Sequence, residues 1–313
     1  LLGAIAIIIV KQVYNGNNHL VAMIQAGSMA GFLLSLIYTK YFSSRHPQKD
    51  YAKPQVLAWV AIFACGLVTD SFAFAALVFF ALAMLHISSP CQGVLYQKIY
   101  EPNVRGLIVG RVKQWQLLVA VSTSWFLGRL IEESPYAYTS AYIAVGILGT
   151  GLCFVFMSIR TGDDTQPTME RPPFREYLRV LKNDYRFRRF MTFQFLLGLA
   201  NISGIAVFQV FINDKQYLGL SPKEAALVSG VLPPLAMFLS IRVWGRIFDR
   251  VNIIQFRIAT SALLGLGFLV YPFMGIFGAM LGAIIWGIGR SGGQLAWSLG
   301  ILDFAPPGKS SIY

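Results

Sequence analysis

The chain has 313 residues, of which 56% are hydrophobic and only 13% are charged, whereas soluble domains carry about 25% charged residues. This composition, with a mean hydropathy of +0.58, excludes an ordinary soluble enzyme and indicates several membrane-spanning segments. The formal net charge of +12 would suggest a nucleic-acid-binding protein if the apolar content were normal, so the positions of the basic residues decide its meaning.

Hydropathy and turn residues predict about ten spans. Backbone groups in lipid need partners within their own segment, and the runs are too long and too uniformly apolar for barrel strands. We therefore predict an all-α, polytopic membrane helical bundle. The predicted spans lie near residues 1–13 (incomplete), 19–39, 55–70, 73–97, 114–131, 139–159, 191–212, 222–243, 256–273 and 276–302.

Basic residues are concentrated in alternate loops. The stretches 40–53, 98–113, 160–190 and 242–257 hold 4, 4, 8 and 4 Lys and Arg residues. Because loops rich in Lys and Arg stay in the cytoplasm, these loops and the N-terminus are predicted to be cytoplasmic. The positive charge is thus a topology signal that needs no nucleic acid. We expect a monomer in contact with lipid, in a bacterial inner membrane, since the loops are short and no organelle signal is visible.

The longest polar stretch, 160–190, divides the chain into two membrane halves, 1–159 and 191–313. Its segment 174–182 has apolar residues on one helical face and basic residues on another, as in a helix that lies on an anionic lipid surface. We interpret 160–190 as an amphipathic linker, with a regulatory or partner-binding helix as the alternative.

The two halves contain an internal repeat. Residues 34–45 align with 239–250 at an offset of 205, and residues 100–106 align with 304–310 at an offset of 204. Two offsets that agree within one residue favour duplication over a coincidence of turn residues. The duplication predicts two pseudo-symmetric six-helix halves with a substrate site at mid-membrane between them. We accordingly expect the chain to be a fragment that lacks the start of the first span and two spans after the tenth.

Two predicted cytoplasmic loops contain motifs that resemble those of a known family. The segment Gly245-Arg-Ile-Phe-Asp249-Arg250 resembles the G-x-x-x-D-R/K loop signature of the major facilitator superfamily of secondary transporters, although Val251-Asn252 replaces the usual x-Gly. The equivalent first-half loop, 40–45, keeps only the Arg. The family's loop after the fourth span is resembled by Pro102, Arg105, Gly106, Gly110 and Arg111. By topology, the resemblance covers the whole chain.

The resemblance implies a conformational latch at the cytoplasmic gate. A carboxylate at a helix end, such as Asp249, accepts amide hydrogen bonds from a neighbouring helix and pairs with Arg246 or Arg250, and these contacts must break when the halves separate. The alternative is a set of ordinary positive-inside residues with one solvated Asp, because surface ion pairs contribute little. The candidate gating residues are Gly245, Asp249, Arg250, Arg246, Arg105 and Lys309.

A charged residue near the centre of the tenth span is the sharpest candidate for contact with a solute. Arg290 would cost at least about 3 kcal/mol there unless it faces water, a partner or a ligand. The repeat offset of 204 places it opposite His86, the only histidine near the middle of a predicted span. The first, fourth, seventh and tenth helices of the resembled family line the central cavity, so the resemblance implies that both residues face it.

Other polar residues recur at helical spacing along these spans, which places them on the same helix faces. The candidate solute-path residues are Arg290, His86, Gln294, Trp297, Asn201, Gln209, Gln194 and Gln97. The alternative role for these side chains is hydrogen bonding between helices.

This lining predicts a secondary active transporter that moves a small polar or anionic solute by alternating access of the rocker-switch type. An Arg binds carboxylate or phosphate through its fork of N–H groups, and His86 is a candidate carrier for a coupling proton. A non-transporting membrane sensor or scaffold is the alternative, suggested by the degenerate loop at 40–45.

The sequence gives no support for an enzyme, a cofactor or a metal site. It shows no nucleophile–base pair or metal-ligand cluster, and three cysteines in apolar runs, Cys65, Cys91 and Cys153, are interpreted as buried free thiols. The match to G-x-G-x-x-G at 287–292 lies inside an apolar helix with no preceding strand, so we do not expect it to bind a dinucleotide.

Overall fold

The structure is a computed structural model that describes residues 2–41, 47–100, 102–134, 136–159, 174–248 and 250–299. Within these ranges every regular element is helical, which confirms the predicted all-α fold. The elements are α1 (Leu2–Ile8) with a π-helical continuation (Ile9–Val13), α2 (Asn18–Tyr41), α3 (Pro47–Cys65), α4 (Ser71–Ile87), α5 (Ser89–Ile99), α6 (Pro102–Glu133), α7 (Ala137–Met157), α8 (Phe174–Asn183), α9 (Tyr185–Asn213), α10 (Pro222–Ala226) with a π-helical continuation (Leu227–Val231), α11 (Leu232–Phe248), α12 (Ile253–Val270) and α13 (Gly275–Leu299).

Six of the described helices are long and apolar enough to cross a membrane: Asn18–Tyr38, Ser71–Gln92, Ala137–Met157, Tyr185–Asn213, Pro222–Phe248 and Ile253–Val270. A shorter apolar helix covers Leu2–Val13. Helices also cover the other predicted spans, but they are more polar; α3, for example, begins with Lys49, Asp50 and Lys53. This criterion therefore counts fewer spans than the ten that hydropathy and turn residues predict.

The outer faces of these helices are apolar. In α7, the side chains of Leu148, Leu152 and Val155 are each more than 60% exposed. So large an exposed apolar surface is unfavourable in water and favourable in lipid. The protein is therefore an integral, multi-pass membrane protein.

The predicted fourth span, 73–97, is broken into two helices at Ser88. Pro90 lies in the first turn of α5, where its missing N–H costs no intrahelical hydrogen bond. The break frees the carbonyl of Leu85, which accepts a hydrogen bond from Nε2 of Gln55 in α3 at 3.1 Å. The same Nε2 donates to Oγ of Ser88 at 2.9 Å, so α3 stabilises the broken helix.

The chain forms two compact units. Unit 1 comprises Leu1–Met169 and Gln209–Leu227, and unit 2 comprises Glu170–Phe208 and Val228–Tyr313. In unit 1, α2 packs against α4, α3 packs against α7, and α6 packs against α10. In unit 2, α13 packs against both α11 and α12. The predicted division into halves 1–159 and 191–313 with a linker at 160–190 stays a prediction.

Candidate functional site

Arg290 lies on an exposed face of α13 in unit 2. Its guanidinium carbon is 4.7 Å from the ring centroid of Trp286, one turn earlier in the same helix. The indole Nε1 of Trp286 donates a hydrogen bond to Oδ1 of Asn201 in α9 at 3.1 Å. Arg290, Trp286 and Asn201 thus form one cluster, which we call the Arg290 cluster. A cation above an indole ring is held electrostatically while its N–H groups remain available to a ligand.

The same face of α13 continues toward its C-terminus. Gln294 and Trp297 are both exposed, Trp297 by 59%. The other faces of α13 are buried through small residues: a Cβ at Gly287 would come 2.7 Å from the carbonyl oxygen of Pro233 in α11, and a Cβ at Gly289 would come 2.9 Å from the backbone of α12. The glycines of 287–292 therefore allow close contacts between helices. The polar residues predicted to share one face of α13 lie on its exposed face.

Gln194 is buried in unit 2, where it binds an arginine. Its Oε1 accepts a hydrogen bond of 2.7 Å from Nε of Arg257, a residue that is only 7% exposed. The Nη1 atom of Arg257 donates to the carbonyl oxygen of Gly293 at 3.2 Å. Arg257 therefore connects α9, α12 and α13. In the sequence analysis Arg257 is counted among the basic residues of the loop 242–257. The predicted span 256–273 also includes Arg257, and this overlap is the sequence signal that it lies inside a span.

His86 lies in α4 of unit 1. Its Nδ1 is 2.8 Å from the carbonyl oxygen of Leu82. Since a carbonyl only accepts, Nδ1 donates this bond. The imidazole ring also contacts the ring of Phe32 edge-on, with centroids 4.7 Å apart.

The remaining path candidates occupy separate places. Gln209 is buried in unit 1, where its backbone oxygen accepts a hydrogen bond of 2.8 Å from Nδ2 of Asn213. The side chain of Gln97 lies outside the described residues. The structure thus brings Asn201 to Arg290 through Trp286, whereas Gln194 and Gln209 each have partners elsewhere.

The candidate gating residues are described only in part. Arg246 and Arg250 are exposed around the end of α11, and Gly245 has open space where a Cβ would lie. Asp249, Lys309 and the side chain of Arg105 lie outside the described residues. The predicted cytoplasmic latch therefore stays a prediction.

Metal and cysteine chemistry can be assessed for the described part of the chain. There, no group of three or more His, Cys, Asp and Glu side chains is arranged to hold a metal ion. The three cysteines, Cys65, Cys91 and Cys153, are buried as free thiols, as their apolar context predicts.

Comparison with protein families gives one match over the entire chain. The model of the Major Facilitator Superfamily matches residues 1–313. A comparison with curated proteins gives no match.

Solved structures of transporters are similar in fold. A bacterial homologue of the human lysosomal transporter Spinster, in an inward-facing and unoccupied conformation, has a TM-score of 0.61 and 16% identity, covering 99% of this chain and 75% of that chain. A variant of the nucleoside transporter NupG has a TM-score of 0.65 and 14% identity, covering 99% and 84%. A D-xylose–proton symporter has a TM-score of 0.55 and 14% identity, covering 99% and 82%.

Proposed function

Because the chain belongs to the Major Facilitator Superfamily of secondary transporters, we propose that it moves a small polar or anionic solute across the membrane by alternating access. Family membership implies a transporter rather than an enzyme. The substrate class is the part of this proposal that rests on the residues themselves.

The Arg290 cluster is the observation that carries the substrate class. A guanidinium on the exposed face of an apolar membrane helix is unfavourable in lipid and is tolerated where it meets water or an anion. Stacking on Trp286 orients the planar group, and its fork of N–H donors matches a carboxylate or phosphate. Trp286 is itself fixed by Asn201, so the arginine is positioned before a solute arrives.

The surroundings of Arg290 also suit a hydroxylated solute. The exposed indole of Trp297 and the amide of Gln294 lie within two turns on the same helix. Aromatic rings and amides are the groups that commonly contact sugar rings and hydroxyls. Two structures of similar fold are a nucleoside transporter and a D-xylose–proton symporter, whose named solutes are polar and hydroxylated. A hydroxylated monocarboxylate is therefore the first class of solute to test.

His86 is proposed to carry a coupling proton. Its Nδ1–H is held by the carbonyl of Leu82, which leaves Nε2 as the site of proton exchange. The proposal has further parts. We propose that residues 245–250, Arg105 and Lys309 form the gate. We also propose two membrane halves, a cytoplasmic N-terminus, an inner-membrane location and a monomeric state.

Uptake into proteoliposomes tests the role of Arg290. D-glucuronate and D-xylose share a pyranose ring and differ in the carboxylate, so the pair isolates the contribution of the charge. We expect D-glucuronate uptake by the wild type and a loss of about 10- to 100-fold in Arg290→Ala, the range for a hydrogen bond to a charged group.

The matched control is Arg129→Ala. Arg129 forms a surface ion pair with Glu133 in which both side chains are more than 60% exposed, and such pairs contribute little, so its uptake should equal that of the wild type. An Arg290→Ala protein with normal D-glucuronate uptake would contradict the assignment. Binding of solutes without any transport would favour the sensor interpretation.

A further inference from the structure

A second polar cluster lies at the end of the first span, in unit 1. Lys11, in the π-helical segment Ile9–Val13, donates from Nζ to Oδ2 of Asp214 at 2.9 Å. The same Nζ donates to Oδ1 of Asn18, also at 2.9 Å. The side chains of Lys11 and Asp214 are only 10% and 18% exposed, so the ion pair is largely shielded from water.

The neighbouring residues on both segments are paired as well. Nε2 of Gln12 donates to Oδ1 of Asn213 at 3.0 Å and to the carbonyl oxygen of Leu220 at 2.9 Å. Asn213 in turn donates to the backbone of Gln209. Residues 11–12 are thus connected side by side to residues 213–214, about 200 positions later in the chain.

A cavity of about 410 Å³ adjoins this cluster. Its volume lies within the range of about 300–1,000 Å³ that is typical of small-molecule sites. Exposed residues at its rim, Asn15, Lys215 and Gly219, make it accessible from the surface. Its polar lining consists of Lys11, Gln12, Asn15, Asn213, Asp214, Lys215 and Ser221.

The charges of the lining favour an anion. The lining contains two lysines, Lys11 and Lys215, and one carboxylate, that of Asp214. An ammonium group has three N–H donors, and among the described residues Lys11 uses two of them, on Asn18 and Asp214. The third is available to a ligand, while the hydroxyl of Ser221 and the side-chain oxygen of Gln12 can contact hydroxyl groups.

From this geometry we infer that the cavity is a second binding site, an entrance site for a small hydroxylated carboxylate whose carboxylate competes with Asp214 for the ammonium of Lys11. The site shares no residue with the Arg290 cluster. Its place in a transport cycle rests on the proposed function, whereas binding itself does not.

Occupation of the cavity would weaken the attachment of residues 209–227 within unit 1. That attachment includes the Lys11–Asp214 ion pair and the contact of α10 with α6, where a Cβ on Gly128 would overlap the side chain of Ala226. A carboxylate that replaces Asp214 on Lys11 removes the ion pair and leaves the hydrogen bonds of Gln12 and the apolar contact. The entrance site is thereby coupled to the attachment of residues 209–227 within unit 1.

Equilibrium binding of radiolabelled D-glucuronate to the purified full chain in detergent tests this inference. The Arg290→Ala variant is the starting protein, so that the Arg290 cluster does not contribute. We expect it to bind one equivalent of D-glucuronate and no D-xylose. Adding Lys11→Gln should abolish this binding, whereas Lys11→Arg should retain it, because Arg keeps the charge and the donors.

Asp214→Asn gives the most specific result. Removing the competing carboxylate should tighten D-glucuronate binding about tenfold, the scale of one charge-assisted hydrogen bond. The matched control is Lys113→Gln, an exposed lysine of α6 that is outside the cavity lining, and it should bind as the starting protein does.

Three results would overturn the inference: no residual binding in Arg290→Ala, binding that survives Lys11→Gln, or weaker binding in Asp214→Asn. Size-exclusion elution of each variant at the wild-type volume confirms that it is folded. The two claims can fail independently. Uptake into vesicles tests the proposed function, whereas binding to purified protein requires no transport and tests only the second binding site.

Discussion

Two arginines of unit 2 show two ways in which an apolar helix holds a guanidinium. Arg257 is buried and donates to Gln194 and to the carbonyl of Gly293, whereas Arg290 is exposed above the ring of Trp286. The first arrangement satisfies the charge within the protein, so its role is to connect helices. The second leaves donors available, which supports the role in recognition that we propose for Arg290.

The buried arrangement predicts that loss of one partner is worse than loss of both. Arg257→Met leaves Oε1 of Gln194 buried without a donor, which costs about 1–3 kcal/mol, and should lower the melting temperature in detergent. The double variant with Gln194→Leu should recover most of the loss, because both polar partners are then replaced by apolar groups. Equal melting temperatures for the single variant and the wild type would show that the Arg257–Gln194 bond stabilises nothing.

The ion pair of Asp214 predicts a dependence of stability on pH. The backbone N–H of Gln216, followed by the ammonium of Lys11, lowers the pKa of Asp214 below its ordinary value of 3.8. Because the folded-state pKa is the lower one, the stabilisation is fully present above about pH 4 and is lost as the pH falls through the lowered pKa.

Thermal unfolding of the wild type and of Asp214→Asn between pH 7 and pH 3 measures this effect. The wild type should melt higher by a constant amount from pH 7 to pH 5, and the difference should shrink only below about pH 4. A difference that shrinks between pH 6 and pH 5 would mean that the pKa of Asp214 is raised instead.

Individual residues differ in how far the sequence predicts their contacts. Arg290 is predictable because a charge in an apolar run is visible without a structure. Arg290 and Trp286 are one helical turn apart, so their stacking is compatible with the sequence, but the sequence analysis does not predict it. The ion pair between Lys11 and Asp214 joins residues 203 positions apart, and no local pattern encodes such a contact.

Close contacts between helices in unit 1 require glycine at positions where a Cβ would collide with the neighbouring helix. In α7, a Cβ on Gly146 would come 2.6 Å from the backbone of Phe63 in α3, whereas a Cβ on Gly151 would meet nothing within 4 Å. Both glycines lie in one apolar helix, so they form a matched pair for a test of α3–α7 contact.

Gly146→Ala should destabilise the protein by about 1–3 kcal/mol, the usual cost of overpacking a tight contact. Gly151→Ala should be neutral or stabilising by up to about 1 kcal/mol, because Ala favours a helix over Gly. Melting temperatures in detergent compare the two variants. If both changes had the same effect, the close approach of α3 and α7 would be refuted.

At the scale of elements, the helices were predictable, and their interruptions were not. Apolar runs and charged turns locate the helices because lipid forces each segment to satisfy its own backbone. The break at Ser88 lies inside the predicted span 73–97, where the run Ser88-Ser89-Pro90 is the local signal; Gln55, which stabilises the break, lies in another helix. The two π-helical segments have no local signature that we recognised.

For the whole molecule, family membership follows from topology and the loop motif at 245–250, and the family model over residues 1–313 confirms the resemblance. The solute does not follow from the family, because similar folds transport different solutes. We therefore base the proposed substrate class on the Arg290 cluster and the proposed coupling proton on His86.

The role proposed for His86 predicts that His86→Gln separates exchange from accumulation. Gln keeps a hydrogen-bond donor for the carbonyl of Leu82 but has no titratable nitrogen. Exchange of D-glucuronate across vesicles at equal solute concentrations should continue, whereas accumulation driven by a proton gradient should be lost. If His86→Gln accumulates solute as the wild type does, His86 is not the proton carrier.

Accumulation by the wild-type protein is the most direct test of secondary active transport. Proteoliposomes with an imposed proton gradient, or with a sodium gradient in parallel, are supplied with radiolabelled D-glucuronate, and internal and external concentrations are measured. We predict that the internal concentration rises above the external one and returns to equality when an ionophore collapses the gradient. Uptake no greater than that of protein-free vesicles under both gradients would contradict the account.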